Sequence, residues 1–101
     1  MNYTVECPFN LSDSQKATIE SKINKLSNFN SDITNIDIYF KETDSHVKGE
    51  VVAEIRAFLP GPDLFTQNKA DNLLKAFNAA YESIKRQAVE RKNKWRNKKA
   101  S

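Results

Sequence analysis

Eight of the fifteen residues in the stretch KRQAVERKNKWRNKK, residues 85–99, are Lys or Arg, and only Glu90 is acidic. The stretch carries a net charge of +7. The remaining residues carry eight basic side chains against twelve acidic ones, a net of −4. The overall +3 therefore conceals one strongly positive end, and a polyanion is its natural counterpart. Phosphates on a nucleic-acid strand are regularly spaced anions, and Arg can bind them bidentately. Complementing a helix dipole would account for cations in a last turn but not for eight of them.

The other reactive side chains point to no chemistry of bond making. His46, the only histidine, follows Thr43, Asp44 and Ser45 in a polar stretch and has no Cys or second His partner for a metal. Cys7 is the only cysteine, so it forms no internal disulfide and reads as a core residue in a reduced, cytoplasmic setting. Asp37 and Glu42 do not have a catalytic spacing, and no Gly-rich phosphate loop is present. The chain reads as a non-enzyme with no cofactor, no metal and no small-molecule substrate.

These charges need a scaffold. Tyr3, Val5 and Cys7 alternate with Thr4 and Glu6, which suggests a half-buried strand ended by Pro8. Ser12 with Gln15 forms a capping-box pattern, with Asp13 in the favourable first turn. A helix is expected over about 13–28, with Ile19, Ile23 and Leu26 as its apolar stripe, followed by a turn at 28–32. Ile33 to Lys41 reads as a second strand with Ile36, Ile38 and Phe40 inward. Polar residues 42–48 then form a hairpin connection. Residues 51–59 form a third strand, Pro60-Gly61-Pro62-Asp63 a turn, and Asp63 to Asn68 a short fourth strand. A second helix starts near Ala70 or Asp71 with Leu73, Leu74, Phe77, Ala80, Tyr81, Ile84 and Ala88 on one face.

The fold class is therefore α+β, ordered β-α-β-β-β-α, with both helices covering one face of a four-stranded sheet, as in a double-stranded-RNA-binding domain. One-sided alternation predicts an antiparallel sheet whose other face, with Glu6, Asp37, Tyr39, Glu54 and Arg56, is solvated. Residues 1–96 read as a single domain and 97–101 as a frayed basic end. No run of eighteen apolar residues exists to span a membrane, and the N-terminus lacks the basic start and apolar core of a signal peptide.

At about 100° per residue, Lys75, Lys85, Arg86, Lys92 and Arg96 fall on one flank of the second helix, with Lys94 and Lys98 opposite. Extending to Arg96, that helix outruns a one-sheet domain, so its basic end projects. Lys22 and Lys25 on the first helix would join the flank if the helices pack side by side; taken alone they describe a solvated face. Trp95 fits either stacking on a base or packing at the domain edge.

Taken together, four segments are similar to one known family. They are Ser21-Lys22-Ile23-Asn24-Lys25-Leu26, Leu59-Pro60-Gly61-Pro62, Ala70-Asp71-Asn72-Leu73-Leu74-Lys75-Ala76-Phe77, and Ile84-Lys85-Arg86-Gln87 leading into Arg91-Lys92-Asn93-Lys94. In this order, over the full length, the chain resembles the ribosome hibernation promoting factor family, also called the ribosome-associated inhibitor A or sigma-54 modulation protein family. The resemblance implies a bacterial protein that binds the small ribosomal subunit between head and body, where messenger and transfer RNA would lie. It implies inhibited translation and preserved idle ribosomes in stationary phase. Carried over by position, Lys22, Lys25, Lys85, Arg86, Arg91, Lys92 and Lys94 contact ribosomal RNA. Ser83 stands where relatives often carry a basic residue. The chain looks like the short form, lacking the dimerising domain of the long form, so a monomer is expected.

Two other readings remain. A double-stranded-RNA-binding domain clusters lysines at the start of its last helix, and residues 70–73 here have none. A protein-interaction module could instead dock its basic helix on an acidic partner.

Overall fold

Ser12 opens the first helix with a complete capping box. Its hydroxyl accepts the Gln15 N–H at 3.1 Å, and the Gln15 side chain accepts the Ser12 N–H at 2.9 Å. Two otherwise unpaired donors are thereby satisfied. The computed structural model describes residues 2–43 and 50–100, with side chains through residue 94. Its order is β1 (Asn2–Glu6), α1 (Asp13–Phe29), β2 (Asn35–Glu42), β3 (Val51–Phe58), β4 (Leu64–Ala70) and α2 (Leu73–Ala100). His46 and most of the expected hairpin connection at 42–48 lie outside the described residues.

The strands form one sheet in the order β1-β2-β3-β4. β2–β3 and β3–β4 are antiparallel, with Ile38 opposite Ile55 and Ala57 opposite Leu64. β1–β2 is parallel, with Val5 opposite Ile38, so the sheet is mixed and not antiparallel throughout. The cause lies in the connection. A 17-residue helix between β1 and β2 carries the chain back to its starting end, which only a parallel pairing accommodates. Alternation reports which face is buried and is silent on strand direction.

Boundaries shift by a few residues for local reasons. Asn28 and Phe29 complete α1, and Ile33 is buried in the connection ahead of β2. α2 begins at Leu73 because Asn72 caps it: its side-chain oxygen accepts the Lys75 N–H at 2.9 Å and its carbonyl the Ala76 N–H at 3.1 Å.

The core is a single cluster. Ile36, Ile38 and Phe40 of β2, with Val51, Ala53, Ile55 and Ala57 of β3, meet Ile19, Ile23 and Leu26 of α1 and Phe77, Tyr81 and Ile84 of α2. Both helices therefore cover the same sheet face. Cys7 is half-buried at the margin of this cluster. The opposite face is polar, with Thr4 donating to Asp37 at 2.8 Å and Lys41 paired with Glu54 at 2.9 Å.

Asn30 joins the layers. It is 2 % exposed, and it ends α1 by donating its N–H to the Leu26 carbonyl at 3.4 Å. Its Nδ2 donates to the Ala88 carbonyl of α2 at 3.1 Å, and its Oδ1 accepts the Asp32 N–H at 3.0 Å.

Phe77 is fully buried, with its ring 6.3 Å from that of Phe40 and 6.2 Å from that of Tyr81. Phe77→Ala should cost about 3–5 kcal/mol, most of the stability of a small domain. Urea denaturation checks this; an unchanged midpoint would show that the ring is not central to the core.

Candidate nucleic-acid interface

The seven-residue spacing of Asn78, Lys85 and Lys92 puts all three on one flank of α2. Contacts with α1 show which way that flank faces. Lys22 on α1 reaches across and donates to Asn78 Oδ1 at 2.8 Å, its Nζ lying 5.2 Å from the centre of the Tyr81 ring. Lys85 on α2 reaches the other way and places its Nζ 5.3 Å from the centre of the Phe29 ring on α1. Each helix thus lends the other a ring and receives a lysine. Ammonium–ring contacts at partly exposed sites are worth about 0.5–1 kcal/mol each. Their larger effect is to hold two flexible cations at the seam between the helices.

Other cations extend this seam. Lys25 lies one turn beyond Lys22 and is exposed; Lys92 lies two turns beyond Lys85 and is half-buried. Lys75 and Arg86 project from the outer side of α2, both exposed. Lys85 pairs with Glu82 at 3.2 Å and Lys75 with Asp71 at 3.3 Å. Pairs this exposed contribute little to stability and exchange readily for another anion. Lys25, Arg86 and Lys92 have no acidic partner among the described residues.

Two expected positions lie apart from the seam. Lys94 falls about half a turn around α2 from Lys85. Arg91 turns onto the β3–β4 connection, donating to the carbonyls of Pro60 at 3.4 Å and Pro62 at 2.8 Å. The Arg96 and Trp95 side chains lie outside the described residues.

The sequence reading missed Phe29, Asn78 and Tyr81 as parts of this site. A signal was available: Lys22 and Phe29 are seven apart on α1, and Tyr81 and Lys85 four apart on α2, so each pair shares a stripe. Among the described residues no group of three or more His, Cys, Asp and Glu could hold a metal ion, and no helix is long and apolar enough to cross a membrane. What the seam offers is a row of ammonium groups, two of them backed by aromatic rings, suited to binding phosphates by charge.

Burial is the main reason that the Tyr81 phenol titrates above its ordinary range, with the Glu82 carboxylate adding to the shift. A pKa raised on folding favours the native state below the ordinary phenol value of 10.0, and that contribution is lost as pH climbs through the folded value. Tyr81→Phe should therefore lose less stability than the parent chain across the alkaline window above pH 10.0. Denaturation midpoints across that window check it; parallel curves would contradict it.

The fold has known counterparts. The sequence matches a family model described as sigma 54 modulation protein / S30EA ribosomal protein over residues 6–96. No curated protein matches significantly. Among solved structures, a ribosomal subunit interface protein from Coxiella burnetii superposes with a TM-score of 0.79 at 19% identity, covering 92% of this chain and 99% of that one. The N-terminal domain of Protein Y from Thermus thermophilus does so with a TM-score of 0.73 at 18% identity, covering 89% and 98%. At such identities the likeness shows a shared fold.

Proposed function

This chain belongs to the sigma 54 modulation protein / S30EA ribosomal protein family, and on that premise we propose that it silences ribosomes by occupying the small subunit. It fills the path that messenger and transfer RNA require, acts as a cytoplasmic monomer, and promotes ribosome hibernation in stationary phase. The observation that carries this reading is the α1–α2 seam, where Lys22 and Lys85 are each held over a ring of the opposite helix. A cation whose position is already fixed loses less side-chain freedom when it meets a phosphate.

In this reading Lys22, Lys25, Lys85 and Lys92 meet ribosomal RNA phosphates along the seam. Lys75 and Arg86 meet them on the outer side of α2, with Lys94 and Arg96 toward its end. Inhibition is steric: no bond forms or breaks, and the function is exclusion of competing RNA.

Lys85→Ala, Arg86→Ala and Lys92→Ala combined should abolish both co-sedimentation with the small subunit and inhibition of in vitro translation. The domain should stay folded in a thermal melt, because Arg86 is exposed and the Lys85 contacts with Phe29 and Glu82 are worth about 1 kcal/mol or less each. A triple variant that still binds and silences ribosomes would sink the reading. Cys7→Ser should leave inhibition intact. A pull-down that survives nuclease treatment while ribosome binding is absent would point instead to an acidic protein partner.

Salt dependence gives a second check. If about six cations meet phosphates, log affinity should fall against log salt with a slope near −4 to −5, at roughly −0.7 per contact. A slope near zero would remove the basic flank from the mechanism.

A further inference from the structure

Arg91 is tied to a turn that holds two prolines. Residues 59–63 connect β3 to β4, and two of them, Pro60 and Pro62, have no N–H to donate across the turn. The turn is thus short of donors of its own, and Arg91 brings two to its proline carbonyls. Nη1 donates to Pro60 at 3.4 Å and Nη2 to Pro62 at 2.8 Å. The planar guanidinium spans the two carbonyls as a fork, which a lysine ammonium cannot do.

Gly61, between the two prolines, is part of the same device. Its φ of +91° lies in the left-handed region that side chains disfavour. A Cβ there would also come within 3.3 Å of Arg91 Nη1. The backbone shape favours glycine, and a Cβ there would push the guanidinium back by a few tenths of an ångström.

This contact is the last of three that fasten α2 within five residues. Gln87 donates to the Phe65 carbonyl of β4 at 3.0 Å, Asn30 donates to the Ala88 carbonyl at 3.1 Å, and Arg91 holds the turn. The three attachments reach an edge strand, the end of α1 and the β3–β4 connection. Beyond Arg91, Asn93 and Lys94 are exposed. The clasp thus sits where α2 leaves the body of the domain.

We propose that Arg91 is a positioning residue that, clasped to the Pro60-Gly61-Pro62 turn, sets the direction in which the basic end of α2 projects toward RNA. The proposal rests on the reading that this flank binds ribosomal RNA. It assigns Arg91 a role different from that of Arg86, which has no partner among the described residues and is free to meet a phosphate.

The test compares Arg91→Ala, Arg91→Lys, Gly61→Ala and the Arg91→Ala/Gly61→Ala pair with Arg86→Ala. Two readouts are used: ribosome affinity as a function of salt, and amide hydrogen exchange of residues 89–94 in the free protein. Gly61→Ala removes no charge, yet it should weaken binding roughly tenfold, the low end for losing one hydrogen bond to a charged group. Arg91→Ala and Arg91→Lys should weaken it similarly, and the double variant no further, because each change breaks the same clasp. All should leave the salt slope unchanged, whereas Arg86→Ala should reduce it by about 0.7. Exchange at 89–94 should quicken in the Arg91 and Gly61 variants and stay at the parent rate in Arg86→Ala.

An Arg91→Ala variant that loses slope like Arg86→Ala, beside a Gly61→Ala variant that binds normally, would make Arg91 a phosphate ligand and overturn the proposal. Unchanged exchange in both the Arg91 and Gly61 variants would overturn it as well. If the parent chain does not bind ribosomes, the functional reading fails, while the exchange measurement still decides whether the clasp orders the helix.

Discussion

Two helices must share one face of a four-stranded sheet, and Asn30 is where that constraint is met. The opposite face is polar, so both apolar stripes compete for the same strip of β2 and β3. They fit only if α1 stops and turns at the right place. Asn30 stops it with an extended backbone, ties the stop to α2 through Ala88, and directs the chain toward β2 through Asp32 and Ile33. A buried amide with its partners in place costs little; one that has lost them costs about 1–3 kcal/mol. The joint therefore favours one relative placement of the helices over near alternatives. The seam follows from it, since Lys22 reaches Tyr81, and Lys85 reaches Phe29, only at that placement.

The seam separates holding a cation from neutralising it. An acidic partner fixes a lysine and cancels its charge. An aromatic ring fixes it and leaves the charge in place. Lys22 is held by a neutral amide and a ring, so its full charge remains available to an incoming anion. Lys85 has both kinds of partner, a ring at 5.3 Å and the Glu82 carboxylate at 3.2 Å. Exposed pairs elsewhere, such as Lys69 with Glu50 on the sheet, are the ordinary arrangement of a solvated surface.

Much of this was legible in the residues, for identifiable reasons. Burial patterns are local, so period two and period 3.6 located all six elements and the core residues Ile38, Ile55, Phe77 and Ile84. The capping box at Ser12 needs only a four-residue window. The parallel β1–β2 pair was not legible from alternation, because strand direction is set by the connection and not by the strand. The seam was half legible: the lysines stand out by charge, but their rings lie on the other helix, and the pairing depends on how the helices pack. Arg91 is the instructive case. It lies 14 residues from Phe77, which puts it only about 40° from the apolar centre of α2. A guanidinium that close to the stripe must reach over the end of the sheet, as it does to the Pro60 and Pro62 carbonyls.

The parallel pairing of β1 also bears on how the chain assembles. β2, β3 and β4 form a meander of neighbours in sequence, and α2 follows directly to cover it. These contacts close short loops and cost little chain entropy. β1 closes a longer loop, since its strand partner among the described residues, β2, lies beyond a 17-residue helix. On a chain emerging amino end first, the segment made earliest must wait for material synthesised later before it finds its place. Topology thus favours an order of assembly that runs against the order of synthesis, with the first strand added last at the edge of a sheet already built.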